Sequence, residues 1–239
     1  MKKMLDLCVF LALTYPYGIV VGIIFRLLVI IGKIRVLYWK RFPHWEKRII
    51  LVSNHPSLLE PFLLPALFLR EYFLHPFQYA PWSTPDKANF YDSWYWFWLR
   101  PRAIPVDRKN QKGNLRVFLR IKEIVTSGGI IILFPEGGRT FKGKEFSCSK
   151  KGKKLRVLKT GIGWLVLNTQ ALVIPVWVEG TDKVFPNCSK KLFSFPRLGG
   201  KITIKIGKPL RFHGFSRNKR TEVTQIITNA LLELADEEE

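Results

Sequence analysis

"RIILVSNHPSLLEP", residues 48–61, decides how the chain is read. Arg48 to Val52 is a short apolar run of the kind that makes a buried strand. A polar turn follows, and Pro56 and Ser57 are good helix openers. A strand leading directly into a helix is the repeating unit of an α/β layer fold. His55 stands at the carboxyl end of that strand, with Glu60 five positions on. On an ideal helix, positions five apart differ by about 140° and face away from each other. The two side chains meet only if His55 lies in the loop and Glu60 in the first turn of the helix. An imidazole held by a carboxylate on one nitrogen is a good general base on the other. Ser57-Leu58-Leu59-Glu60 is equally a capping-box pattern, and Glu60 suits the positive end of a helix dipole without any catalysis. On this segment alone both readings stand.

The same alternation continues outward. "FQYA" (77–80) reads as a second strand and "RAIPV" (102–106) as a third. "GGIIILF" is the clearest buried strand, "ALVIPVWV" (171–178) another, and "KITIKIG" alternates with period two, as a half-exposed strand does. Between them lie helical stretches. These are an aromatic one in "DKANFYDSWYWFWLR", Lys112 to Thr126 with Leu115, Phe118, Leu119, Ile121 and Ile124 largely along one side, and "VLKTGIGWLVLNT". An amphipathic C-terminal helix completes the chain. Pro65 marks a kink or stop, and Pro175 a bulge or edge. Strand and helix in alternation imply an α/β fold, a mostly parallel sheet flanked by helices, with sites at the carboxyl ends of strands.

The first 47 residues differ in kind. "LDLCVFLALTYPYGIVVGIIFRLLVIIG", Leu5 to Gly32, is mostly apolar and long enough for a membrane-embedded helical anchor, kinked at Pro16. It permits both a spanning helix and a helical hairpin lying in a single leaflet; the competing reading is a buried core helix. Arg26 suits a snorkelling position at its end. "KIRVLYWKRF" after it is basic and aromatic, as expected at a headgroup surface. Residues 1–47 are therefore read as anchor and interfacial linker, and residues 48–239 as the catalytic domain.

The 239 residues carry 39 Lys and Arg against 18 Asp and Glu, a net charge of +21. Such a field draws polyanions: nucleic acid, an anionic membrane face, or phosphorylated substrates. No recognised nucleic-acid motif accompanies it, so no nucleic-acid partner is expected. The 14% aromatic content and eight Trp lean towards a membrane interface. Cys8, Cys148 and Cys188 are scattered, so neither a disulfide framework nor a zinc site is readable, and no bound cofactor or metal is expected.

Two further segments carry chemistry. In "LFPEGGRT", Leu133 to Thr140, Gly137-Gly138 permit positive φ and close backbone approach. Turn N–H groups together with Arg139 make an anion site; a plain Gly-Gly turn is the alternative. In "RPRAIPVDRKN", Arg108 again follows a strand. Ser57 is weighed as a covalent nucleophile against a capping role. Cys148 sits in the lysine-rich stretch "KGKEFSCSKKGKKLR" (142–156), which is read as a solvated charge run or a grip on anionic lipid, coenzyme A phosphates or an acidic carrier protein. His44, His75 and His213 read as solvated or packed.

Each block is ambiguous alone. Taken in order, His55 with an acid five residues on, "IPVDR", "FPEGGRT" and "VIPV" resemble the 1-acylglycerol-3-phosphate acyltransferase family, over roughly residues 48–180. The resemblance implies that His55 deprotonates the acceptor hydroxyl and that Glu60, standing where the family usually has Asp, orients the imidazole. It implies Arg108 in phosphate binding, and Glu136, Gly137 and Arg139 in acceptor recognition. The expected activity moves a fatty acyl group from a thioester donor, acyl-coenzyme A or acyl carrier protein, to the free hydroxyl of a lysophospholipid acceptor, 1-acylglycerol 3-phosphate, making phosphatidate. The enzyme would sit at an anionic membrane, with its catalytic domain on the cytoplasmic face. The alternatives are a different lysolipid or glycerol 3-phosphate as acceptor, and a non-catalytic basic membrane-surface protein.

Overall fold

The computed structural model describes residues 2–107, 111–185 and 199–238. Its helices are α1 (Lys2–Val9), α2 (Tyr15–Ile30), α3 (Glu60–Leu63), α4 (Leu69–Leu74), α5 (Pro76–Tyr79), α6 (Gln111–Thr126), α7 (Gly161–Thr169), α8 (Thr181–Val184) and α9 (Arg220–Asp236). Its strands are β1 (Ile34–Leu37), β2 (Ile49–Ser53), β3 (Ile130–Leu133), β4 (Phe146–Cys148), β5 (Lys154–Arg156), β6 (Leu172–Glu179) and β7 (Ile202–Ile206). Five strands form one sheet in the order β1-β7-β6-β2-β3. β2 runs parallel to both neighbours, with Leu51 opposite Ile132 on one side and Ile174 on the other. β1 is parallel to β7, and only β6 and β7 are antiparallel. β4 and β5 form a separate hairpin.

The strands are apolar throughout because both faces of the sheet are covered. Ile50, Val52, Ile131 and Val173 face α6, α7 and α9. Ile49, Leu51, Ile132 and Ile174 face Phe25 of α2 and Leu64, Leu67 and Phe68. Ile49 to Val52 are all fully buried. Burying each such side chain stabilises the fold by about 1.5–3 kcal/mol. The fully buried interior strand β2 thus leads directly into the loop that carries His55.

Helices α1 and α2 are joined by a π-helical turn, Phe10–Thr14, just before Pro16. Proline lacks an N–H and its ring crowds the carbonyl four residues back, so the ladder loosens there. Helical structure runs through Met4–Ile30, long and apolar enough to cross a membrane. One side packs on the domain: Phe10 and Phe25 are buried, and Tyr72 lies against Tyr15. The other side exposes Val20, Ile23, Ile24 and Leu27. The Arg26 guanidinium stacks over Trp39, 4.9 Å from the ring centroid.

Several expectations need correcting. Residues 77–80 are not a strand, because Pro76 opens the short helix α5. Residues 102–106 make only isolated parallel bridges, Ala103 to Ser83 and Val106 to Asp86. The aromatic stretch is a π-helical turn (Lys87–Tyr91) and a 3-10 helix (Trp94–Arg102) rather than an α-helix. Ile34–Leu37, in the stretch read as linker, is a sheet strand. Pro175 lies inside an interior strand, where pairing with β7 begins only at Val176. β7 is not half-exposed, because the side that carries Lys205 is covered by the end of α9.

Lys205 of β7 is itself buried, and its ammonium group donates to the carbonyls of Ala235 (2.6 Å) and Glu237 (2.7 Å) at the end of α9. It therefore caps that helix from inside. Lys205→Met leaves the buried Ala235 carbonyl without this donor, at a cost of about 1–3 kcal/mol. Thermal unfolding followed by circular dichroism should show a midpoint lower by at least a few degrees.

Candidate active site

β2 ends at Ser53, and Asn54 continues its ladder with a side chain in place of backbone. Its amide donates to Val178 O and accepts from Val178 N, both at 2.8 Å. The chain can then leave the sheet at His55 while still fastened to β6. His55 Nδ1 lies 2.8 Å from Glu60 Oε2. His55 is in the loop and Glu60 is the first residue of α3, the one arrangement that lets them meet. The imidazole stacks on Phe134, with ring centroids 4.3 Å apart. Its other nitrogen, Nε2, has no hydrogen-bond partner among the described residues, and His55 lines a cavity.

The capping reading is realised by the same carboxylate. Ser57 N lies 3.1 Å from both Glu60 oxygens, and Ser57 Oγ donates to Oε1 at 3.0 Å. The Thr181 hydroxyl, from the turn after β6, donates to Oε1 as well. The Ser57 N–H, the Ser57 hydroxyl and the Thr181 hydroxyl all point donors at this buried carboxylate. A proton on His55 Nδ1 completes that set and leaves Nε2 towards the cavity. Ser57 is fully buried, and its oxygen also accepts from Leu59 N, so it shapes the loop instead of facing the cavity.

Glu136 departs from the expected role in acceptor recognition. It is fully buried and does not line the cavity. Its Oε1 accepts from His55 N and Thr140 Oγ1, both at 2.7 Å, and its Oε2 from Arg156 N at 3.0 Å. The carboxylate is saturated by the chain itself. Burial pushes its pKa up, against the opposing pull of these donors. Gly137 and Arg139 do line the cavity. Gly137 takes φ +67°, and a Cβ there would lie 2.6 Å from Lys159 Cε. Its N–H donates to Phe134 O, so it is not offered to an anion. Arg108 lies outside the described residues.

The cavity has a volume of about 930 Å³. Near the Gly turn it is basic, with Arg139, Lys142, Arg156 and Lys159; elsewhere it is largely apolar, with Tyr17 and Val21 of α2, Phe62, Leu69 and Trp96. Lys142, Arg156 and Lys159 were not singled out individually by sequence. They belong to a basic run without motif spacing, and the hairpin β4–β5 and the turn before α7 bring them together. Cys148 is exposed on that hairpin and does not line the cavity. His44 pairs with the buried carboxylate of Glu71 at 2.6 Å, a packed role. Glu136→Gln would turn an amide N–H towards backbone N–H groups, leaving a buried donor unpaired at a cost of about 1–3 kcal/mol. A lower thermal midpoint by circular dichroism, together with a drop in any His55-dependent activity, is the expected result.

Comparison with known proteins places this geometry. The chain is 25% identical over 182 residues to a chloroplastic 1-acyl-sn-glycerol-3-phosphate acyltransferase of Arabidopsis thaliana, covering 76% of this chain and 44% of that protein. It is 23% identical over 189 residues to a 1-acyl-sn-glycerol-3-phosphate acyltransferase of Limnanthes alba, covering 77% and 58%. The chain thus spans about half the length of the curated relatives it matches. Its fold is similar to the crystal structure of the 1-acyl-sn-glycerophosphate acyltransferase PlsC from Thermotoga maritima, with a TM-score of 0.59 and 22% identity, over 93% of this chain and 81% of that one. A family model described as acyltransferase matches residues 33–179, from just before β1 to the end of β6 and so around the whole His55–Glu60 loop: the chain belongs to the acyltransferase family.

Proposed function

We propose that this chain transfers a fatty acyl group from a thioester, acyl-coenzyme A or acyl carrier protein, to the free hydroxyl of 1-acylglycerol 3-phosphate, making phosphatidate. The observation that carries the reading is one cavity holding three things together: the free Nε2 of a carboxylate-held histidine, a cluster of guanidinium and ammonium groups, and an apolar remainder. Nε2 takes the hydroxyl proton as the oxygen attacks the thioester carbonyl. The tetrahedral intermediate collapses to the new ester, and the C–S bond breaks. The thiolate leaves and takes the proton back from the imidazolium. Glu60 stabilises that imidazolium while it exists. Arg139, Lys142, Arg156 and Lys159 fix the acceptor phosphate, which supplies orientation. The names carried by the relatives agree with this acceptor.

Support for a membrane site comes from the exposed apolar side of Met4–Ile30 and from Phe73, Leu74, Phe77 and Trp94 exposed beside it. Because the helix packs on the domain at both Phe10 and Phe25, we read it as lying along one leaflet. The basic residues Lys33, Arg35, Lys40 and Arg41 that follow favour the cytoplasmic leaflet.

An acylation assay crossing lysophosphatidate, other lysophospholipids and glycerol 3-phosphate with both donor types tests the activity. His55→Ala should lower kcat by roughly 10²–10⁴-fold; turnover near the wild-type level in that variant defeats the proposal. Ile23→Lys with Leu27→Lys, both on the exposed side of α2, should weaken sedimentation with phosphatidylglycerol vesicles by at least about tenfold while leaving the thermal midpoint unchanged.

A further inference from the structure

We infer that Thr181 is a positioning residue for the general base: its hydroxyl pins one oxygen of Glu60 so that the other meets His55 Nδ1. This rests on the acyl-transfer reading above for its kinetic consequence, but not for its structural one.

Glu60 accepts from His55, from Ser57 and from Thr181. His55 and Ser57 belong to the same short loop as Glu60 itself. Thr181 is 121 positions away in sequence and is the one side-chain partner of Glu60 from outside that loop among the described residues. It comes directly off β6, which pairs with β2 along Ile49 to Ser53. The contact therefore registers a catalytic carboxylate against the middle of the sheet.

The local chain is built to deliver that hydroxyl. β6 ends at Glu179, and Gly180 turns with φ +84°. A Cβ at Gly180 would sit 2.1 Å from the Lys201 carbonyl oxygen, so no other residue fits this turn. Thr181 then opens α8 with no exposed surface. Glutamate carries one more side-chain torsion than the aspartate usual at this place in the family. Without an outside tether that torsion lets the carboxylate swing within its pocket. Thr181 and the Ser57 hydroxyl fix Oε1, and Oε2 then stays within reach of both Ser57 N and His55 Nδ1.

Thr181→Val keeps shape and removes the hydroxyl; Thr181→Ser keeps the hydroxyl. The valine variant is expected to lose roughly tenfold in kcat, a part of what a positioned base contributes, with both KM values unchanged and the acidic limb of the kcat–pH profile displaced. The serine variant is expected to restore the wild-type profile. ¹⁵N shifts of the His55 ring, read on the purified full chain, supply a measurement independent of substrate. Wild type and Thr181→Ser should show the single Nδ1–H tautomer, and Thr181→Val a mixture. Thr181→Ala serves in its place if the valine variant does not fold. Unchanged kcat and unchanged ring shifts in the hydroxyl-free variant overturn the inference, as does equal impairment of the serine and valine variants. If no acceptor is acylated by wild type while the tautomer mixture still appears in the hydroxyl-free variant, the acyl-transfer reading fails and the positioning role of Thr181 stands.

Discussion

The carboxylate of Glu136 gathers three segments at once: the His55 N–H at the exit of β2, the Thr140 hydroxyl beyond the Gly turn, and the Arg156 N–H at the end of β5. Thr140 N in turn donates to His55 O at 2.9 Å, so the histidine backbone is held from both sides. These bonds place the imidazole, the Gly turn and the basic hairpin in one frame. Burying such a carboxylate is costly unless its oxygens are well supplied with donors, and here three donors supply them. His55 and the cationic groups around it share this foundation.

The hairpin is braced from its far end as well. Ser149 Oγ and Lys151 N both donate to Asp236 at the end of α9, at 2.6 and 3.0 Å. Lys153 pairs with Glu179 at the end of β6, at 3.0 Å. Part of the lysine-rich run thus has a structural role, while Lys142, Arg156 and Lys159 face the cavity. A run of like charges in sequence separates in space into groups that hold the fold and groups turned to a ligand.

Geometry set by neighbours in sequence was legible in the residues. His55 and Glu60 meet because the loop geometry between them is local, and the two readings of Ser57–Glu60 turned out to describe one set of bonds. The role that the resemblance implied for Glu136 gave no hint of its structural partners, because they are distant in sequence: nothing near FPEGGRT says that the Arg156 and His55 N–H groups will meet the carboxylate. Thr181 left no signal, for the same reason. The parallel core strands were plain from their unbroken apolar runs. β1 was not, because Arg35 interrupts it on its exposed side at the sheet's edge. In β7 a period-two lysine pattern mimicked a solvated face, and the burial of Lys205 under the end of α9 depends on a helix that begins at Arg220.

The edge of the sheet joins segments far apart in sequence, since Val36 lies opposite Ile204. A ribosome must release every residue from β1 through β7 before β1 has a neighbour. That pairing spans more of the chain than any other in the sheet, so its loop-closure entropy is the largest there. Closing this edge of the sheet waits on the last of its strands to be made, long after the apolar helix beside β1 has formed.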